Sequence, residues 1–300
     1  MKTPDKLKIA IIGSGNIGTD LLVKAMRSKH LACTLFAGRN FNSAGMKKAS
    51  ELGVAISDRG IEAIVNDPSL CDIVFDATSA QAHIEHWAIL DKLGKTVIDM
   101  TPAKLGEFCI PAINAQACFD TGARNINMIT CGGQASIPMA YALSQVHPDI
   151  EYIEVASSIA SRSAGPATRQ NLDEYIDTTE HALQKFSGVK RAKAILILNP
   201  AHPPIDMQTT IYAKIANPDL PAILESVSAM VAQLKQYVPG YQLIVPPTVE
   251  GGKVVTTVKV LGNGDYLPQY AGNLDIINCA AIAMAELMAL SMSNKERQHG

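Results

Sequence analysis

Two groups of residues in this chain have the types and spacing to do chemistry: Cys131, and the set Gly13-Ser14-Gly15-Asn16-Ile17-Gly18. Cys131 ends a short apolar run, Ile126 to Thr130, and is followed by Gly132 and Gly133; a helical pattern then runs from Pro138 to Gln145. That order predicts a thiol at a strand-to-helix turn. Unpaired N–H groups and the positive end of a helix dipole gather at such a turn, and both favour thiolate over thiol. The same N–H groups can serve as an oxyanion site. Without that setting, a cysteine at a strand end is a plain packing residue.

The glycine set follows an apolar strand and opens a helical pattern, the context that nucleotide binding requires. The first glycine permits a tight turn, the second lets the backbone approach a pyrophosphate, and the third lets helix and strand pack closely. The pyrophosphate would sit on the helix N-terminus, with Ser14, Asn16 and Ile17 in the binding loop. A thiolate paired with a nicotinamide cofactor points to an oxidation that passes through a thioester.

The fingerprint predicts an acid about 20 residues on, to hold the ribose 2′-hydroxyl. Ala37-Gly38-Arg39-Asn40 stands there instead. Arg39 would suit a 2′-phosphate, which favours NADP. The alternative is a solvent-facing Arg39 with NAD bound.

The elements that must position these residues alternate in the first half. Strands are expected over Lys8–Ile12, Leu31–Ala37, Val54–Ile56, Cys71–Asp76, Thr96–Asp99 and Asn125–Thr130, with helices over Thr19–Ser28, Ser43–Gly53, Gly60–Asn66 and Gln81–Leu93. Such alternation argues for an α/β fold with a parallel sheet. Beyond Cys131 the texture changes. Strands are expected at Tyr152–Ile159, Ala194–Leu198, Thr209–Ile215, Tyr241–Val245 and Lys253–Leu261, with a hairpin at Gly251-Gly252. Helices are expected at Asn171–Phe186 and at Pro218–Tyr237, the latter capped by Asn217. This reads as an α+β domain with a mixed or antiparallel sheet. Ala271–Ser291 is apolar and alanine-rich, the pattern of a buried helix. The expected division is 1–131, completed by helix 271–300, and 132–270, with the active site in the cleft between them.

Composition narrows the function classes. Three hundred residues, 47% hydrophobic and 18% charged, suit roughly two compact domains. A net charge of −2 and the lack of a Lys/Arg-rich run give no reason to expect nucleic acid. No signal-peptide pattern opens the chain, and no run approaches the ~18 apolar residues that span a bilayer, so a cytoplasmic protein is expected. Cys33, Cys71, Cys109, Cys118, Cys131 and Cys279 are scattered without Cys-x-x-Cys spacing, which indicates neither zinc nor a disulfide framework.

Several segments together resemble a known family: Gly13 to Asp20, Asp76-Ala77-Thr78-Ser79, Asp99-Met100-Thr101-Pro102, Thr130 to Pro138, Ser163 to Arg169 and Tyr266 to Asp275. They look like the acetylating, CoA-dependent acetaldehyde dehydrogenases that partner 4-hydroxy-2-oxovalerate aldolases in aromatic and steroid catabolism. The resemblance runs from about residue 7 to about residue 290. It implies a glyceraldehyde-3-phosphate dehydrogenase-like fold, with a Rossmann domain plus a dimerisation and catalytic domain, and one or two dimers. It also implies a chemistry. Cys131 attacks acetaldehyde or another short aldehyde, hydride loss leaves an acyl-Cys131 thioester, and coenzyme A as co-substrate takes the acyl group. Carried over by residue, Ser163, Ala164, Gly165, Pro166, Ala167, Thr168, Arg169, Gln170 and Asn171 lie against the cofactor. Asn273 holds the nicotinamide carboxamide, and Gln134 is near the thiol.

Departures from the family pattern stand beside these matches. The resemblance implies an aspartate at Thr209, a base or a link to the aldolase, and Asp206 stands three residues earlier. It implies Gly-Ile-Asp-Pro where Gly38-Arg39-Asn40-Phe41 stands, and an extra arm within Leu243 to Leu261. Two rival functions remain at this level. One is a semialdehyde or acyl-phosphate reductase on the same fold; the other is a non-catalytic nucleotide-binding subunit that stabilises an aldolase.

Among the remaining candidates, His83 and His86 lie three apart on one helix and could hold a metal, but no further ligand cluster supports it; they read as surface or cap residues. His147 should end a helix before Pro148. His202 lies in a proline-rich loop that could line a site. Asp173, Glu174, Asp177 and Glu180 read as a solvated helix face near its N-terminus.

Overall fold

Strand β1 (Leu7–Ile12) is apolar over its last four residues, all buried, as a strand covered on both faces must be. The computed structural model describes residues 6–299, with the side chains of Pro166, Ala167 and 294–300 outside that description. It divides the chain into two units, one running to Met128 and resuming at Asn278, the other Ile129–Ile277.

Unit 1 continues with α1 (Asn16–Arg27), β2 (Leu31–Ala37), α2 (Ala44–Glu51), β3 (Ile56–Ser57), α3 (Glu62–Asn66), β4 (Ile73–Asp76), α4 (Ala80–Leu90), β5 (Thr96–Asp99), β6 (Glu107–Phe108), α5 (Pro111–Asp120) and β7 (Asn125–Asn127). Among the described residues these strands form one parallel sheet in the order β3-β2-β1-β4-β5-β7-β6. Ala10, Ile12, Leu35, Val74, Val97 and Leu90 fill one core cluster. Register matters most at the carboxyl edge. There Ile12 pairs Asp76, Asp76 pairs Asp99, and Asp99 pairs Asn127, so three polar side chains end neighbouring strands in a row. Strand β6 and helix α5 are elements the periodicity does not announce. Pro111 starts that helix, and a non-helical Asn114 breaks it early.

Unit 2 holds α6 (Cys131–Val146), β8 (Tyr152–Ala160), α7 (Pro166–Gln170), α8 (Leu172–Ser187), β9 (Ala192–Asn199), β10 (Met207–Lys214), α9 (Leu220–Leu234), β11 (Tyr241–Glu250) and β12 (Lys253–Val260). Its sheet runs β11-β12-β10-β8-β9, antiparallel except for the β8–β9 pair. Gly251 (φ 55°) and Gly252 (φ 73°) make the β11–β12 hairpin, whose two central residues must both take the left-handed region. Helix α6 is almost wholly buried, and the fully buried Tyr241 donates its hydroxyl to the Ala135 carbonyl at 2.6 Å.

Three expectations change. The helix after Cys131 starts at the cysteine itself, seven residues before the expected Pro138. Thr130 Oγ1 caps it by accepting from Gly133 N at 2.8 Å, a local bond that outweighs two glycines and a proline in the following turns. Helix α9 is capped by Asp219 and not Asn217, because the Asp219 carboxylate reaches the Ala222 N–H at 3.1 Å. Lastly, α10 (Gly272–His299) opens in unit 2 and continues in unit 1. Its stretch Gly272–Ser293 is long and apolar enough to cross a membrane, contrary to the expectation that no such run exists. Buried Ile276, Ala280, Ala281 and Met284, together with Asn278 bonded to Asp20 at 2.8 Å, give it the pattern of a core helix.

Candidate active site

The glycine loop sits between β1 and α1. Gly13 takes φ +114°, a conformation side chains rarely adopt, and a Cβ there would collide with the Ala77 carbonyl after β4. A Cβ on Gly18 would collide with the Gly13 carbonyl. Gly15 differs. Its Cβ would meet nothing within 4 Å, so this backbone faces open space. Gly15 caps α1 with no side-chain hydrogen bond, which leaves the first N–H groups of the helix for an anion. Asn16 and Ile17 open that helix, and Ser14 Oγ lies 3.1 Å from Ser43 Oγ, the cap of α2. These features fit a dinucleotide pyrophosphate.

Arg39 follows β2 with an exposed side chain. The next arginine along that edge, Arg59, is already paired with Glu62 at 3.2 Å. No acid stands among Gly38, Arg39 and Asn40.

Behind the glycine loop lies a buried ionic layer. His83 is completely buried, with Nδ1 3.0 Å from Asp76 Oδ2 and Nε2 3.3 Å from Asp99 Oδ2. His86 Nδ1 lies 2.8 Å from the same Asp76 oxygen. The expectation of surface or cap histidines is therefore corrected: one face of α4 turns both rings onto the carboxyl end of β4. Burial works against the charged forms of all three buried groups, yet the partners win at two of them. Hydrogen bonds from His83, His86 and Thr78 hold Asp76 well below its usual range, and the carboxylates hold His83 above its usual value. At Asp99 burial wins and the carboxyl rises to about 6.

In unit 2 the geometry centres on Cys131. The half-buried side chain starts α6, and its Sγ lies 3.8 Å from the Tyr175 hydroxyl on α8. Crowding around the sulfur pushes the thiol up to about 11, against the lowering effects of the Tyr175 hydroxyl and the N–H groups of Gly132 and Cys131. The helix N-terminus therefore does not by itself make a thiolate, as the sequence suggested it would; dehydration outweighs it. The residue keeps a solvent-facing side, so water screens part of this rise. Thr209, where an aspartate is implied, is buried, and its Oγ1 lies 2.9 Å from Ser157 Oγ, its register partner on β8. Gln134 is buried in the first turn after the cysteine.

Ser163 and Ala164 are buried; Ser163 Oγ donates to the Ala160 carbonyl at 2.8 Å. Arg169 is turned back on its own segment, to Ala164 O at 3.1 Å and Ser161 O at 2.9 Å. Gly165 faces open space, Thr168 and Gln170 lie on α7, and Asn171 precedes α8. The side chains of Pro166 and Ala167 lie outside the described residues. Asn273 is buried, and its Oδ1 has no hydrogen-bond partner, an acceptor that a carboxamide N–H would satisfy. His147 caps the end of α6.

Sequence reasoning passed over Tyr175 and Ser157. Tyr175 does belong to a readable stripe, Tyr175-Thr178-Thr179-Ala182-Leu183, all buried at helical spacing. That stripe marks it as core, not as a neighbour of a thiol.

Comparison with known proteins bears on both units. The family model for prokaryotic acetaldehyde dehydrogenase, dimerisation, matches residues 131–268, and that for semialdehyde dehydrogenase, NAD binding domain, matches 8–118. An acetaldehyde dehydrogenase of Pectobacterium atrosepticum is 74% identical over 95% of this chain and 96% of its own length. One from Spirochaeta aurantia is 56% identical, covering 93% and 94%. Among solved structures, aspartate semialdehyde dehydrogenase with NADP from Candida albicans aligns with TM-score 0.65 at 11% identity, over 95% of this chain and 98% of that one. That last likeness is one of fold.

Proposed function

The chain belongs to the acetaldehyde dehydrogenase family of oxidoreductases, with a nicotinamide-nucleotide-binding domain, and on that premise we propose that it is a CoA-acylating aldehyde dehydrogenase working through an acyl-Cys131 thioester. The observation that carries this reading is the Cys131 thiol at the start of α6, facing a hydroxyl and two backbone N–H groups. The Cys131 sulfur attacks the aldehyde carbon; a C–S bond forms and the carbonyl electron pair moves to oxygen. That oxygen re-forms C=O as hydride leaves, giving the thioester. The CoA thiolate then attacks the acyl carbon and displaces the Cys131 sulfur. When bound, the dinucleotide supplies the hydride acceptor. The groups that hold the sulfur are a phenol and two backbone N–H groups, none of them a base that activates water. This favours thiolysis over hydrolysis.

The test is direct. With acetaldehyde and oxidised cofactor, NAD(P)H should accumulate only when CoA is present. Dependence on inorganic phosphate instead would replace this reading with an acyl-phosphate reductase.

Cofactor binding is assigned to Gly13, Ser14, Gly15, Asn16, Ile17, Gly18, Arg39, the segment 163–171 and Asn273. The glycines separate two roles. Gly13→Ala should cost about 2–4 kcal/mol in urea unfolding, through backbone strain plus a clash with Ala77. Gly15→Ala enters open space, so its unfolding should move by no more than about 0.5 kcal/mol. It should nonetheless weaken dinucleotide binding roughly tenfold or more, because its methyl group stands where the pyrophosphate approaches. Equal stability losses in both variants would undo the distinction.

Arg39 supports use of NADP at least as well as NAD. A charge-assisted bond to a 2′-phosphate is worth about 1.5–3 kcal/mol, so Arg39→Asp should raise the Kd for NADP by roughly 10–100-fold and spare NAD. Titration with each cofactor decides it; a strong NAD preference unchanged by the substitution would sink the idea.

Residues 131–268 match a dimerisation domain, and exposed Ile244, Val245 and Val249 lie on the edge strand β11. They support a dimer or a dimer of dimers. Family membership also carries the proposal of a 4-hydroxy-2-oxovalerate aldolase partner, to be sought by copurification.

A further inference from the structure

We propose that Tyr175 is a catalytic residue: its hydroxyl, which accepts from the neutral Cys131 thiol, turns to donate to the sulfur once it ionises and stabilises the thiolate, both as attacking nucleophile and as the group displaced by coenzyme A. The proposal rests on the thioester reading above.

Four observations converge. The phenol oxygen lies 3.8 Å from Sγ, and Tyr175 is buried. Gly132 makes the approach feasible, because a Cβ there would collide with the Tyr175 hydroxyl. Tyr175 is also tied to the cap of α6. Thr179 Oγ1 donates to the Tyr175 carbonyl at 2.7 Å and lies 2.8 Å from Thr130 Oγ1, which in turn accepts from Gly133 N at 2.8 Å. One run of hydrogen bonds thus sets the phenol against the turn that carries the thiol. Lastly, Ser157, which also lies beside Gly132, is joined to Thr209, a pair of neutral hydroxyls.

Burial holds the Tyr175 proton well above its ordinary range, so the phenol stays a donor and does not act as a base. Ionisation is then a heterolysis of S–H. The proton goes to water on the half-exposed side, and the electron pair stays on sulfur, where the Tyr175 O–H and the Gly132 and Cys131 N–H groups face it. Tyr175 from α8 faces the sulfur, and Ser157 of β8 with its partner Thr209 of β10 packs beside the neighbouring Gly132. Of these only Tyr175 titrates. Stabilising a thiolate by hydrogen bonds in place of a paired base suits a sulfur that must also depart.

The experiment is the pH profile of iodoacetamide alkylation at Cys131, read by peptide mass spectrometry on the full-length protein. Tyr175→Phe keeps the ring and removes the donor. Its alkylation rate should fall roughly tenfold at each fixed pH between about 7 and 10, with a similar fall in the acylation rate. A ring-fluorinated tyrosine at position 175, a stronger acid and donor, should raise that rate. If the Phe variant does not fold, the fluorinated protein decides alone. Superposable profiles for wild type and the folded variants overturn the proposal. Should wild type make no NAD(P)H from acetaldehyde and CoA, the thioester reading fails while the alkylation profiles still judge Tyr175.

Discussion

Cys131→Ala is expected to lower CoA-dependent aldehyde oxidation by at least about 10³-fold, the scale on which enzymes lose activity when a covalent nucleophile is removed. Nucleotide binding and the unfolding midpoint should stay near wild type, since a half-buried side chain at a helix start gives up little packing. The loss separates an enzyme from a scaffold: a subunit that serves only to stabilise a partner would keep its function without the thiol. Rapid quench and intact-mass measurement should find one acetyl group on the wild type when CoA is withheld, and none on the variant. An acetylated Cys131→Ala protein would place the nucleophile elsewhere.

The same thiol has a predictable pH behaviour. With the sulfur pushed up to about 11, only ~10⁻⁴ of it is thiolate at pH 7 if nothing else acts on it. Alkylation of the free enzyme should therefore climb steadily from pH 7 to 10 without a plateau. A cationic nicotinamide ring beside the sulfur would favour the charged form and pull the midpoint down, so alkylation at neutral pH should speed up when oxidised cofactor is added and less so with reduced cofactor. A plateau already present near pH 7 in the free enzyme would contradict the dehydrated setting of Cys131.

How far the sequence anticipates this site depends on how local the physics is. The glycine loop is legible because its constraint lies within six residues: a φ of +114° at Gly13 and the contact of Gly18 with Gly13 both act inside one turn. The buried strands β1 and β4 are legible by their continuous apolar runs. Cys131 is placed correctly at a turn, but its chemistry is not. A helix start suggests a lowered thiol; the burial that raises it comes from tertiary packing that no local pattern records, and so does the Tyr175 hydroxyl that opposes it. Ser157 and Thr209 meet only because β8 and β10 pair in that register. His83 shows the limit in another form. Period and spacing put it on a helix face, but nothing local says that the face turns toward Asp76 and Asp99, the ends of two parallel strands.

That burial makes His83 the second large effect. His83→Leu should cost about 3–5 kcal/mol in urea unfolding, because it leaves Asp76 and Asp99 buried without the imidazole between them. The ion layer also gives stability a pH dependence whose sign can be fixed group by group. His83 is raised in the folded state, so its contribution is complete below about 6.5 and is lost as pH rises through the folded value. Asp99, raised from 3.8 to about 6, binds its proton more tightly when folded, so it too lowers stability as pH climbs from about 4 to 6. Asp76 is depressed and acts oppositely: its contribution is present above 3.8 and fades as pH falls toward the folded value. Together they predict a loss of stability from mildly acidic toward alkaline pH, with an acid limb below about 4. His83→Gln should flatten or displace the alkaline limb, and pairing it with Asp99→Asn should recover about 1–3 kcal/mol of coupling. Parallel profiles for wild type and His83→Gln between pH 5 and 9 would mean that the imidazole is neutral throughout and that the layer is held by hydrogen bonds alone.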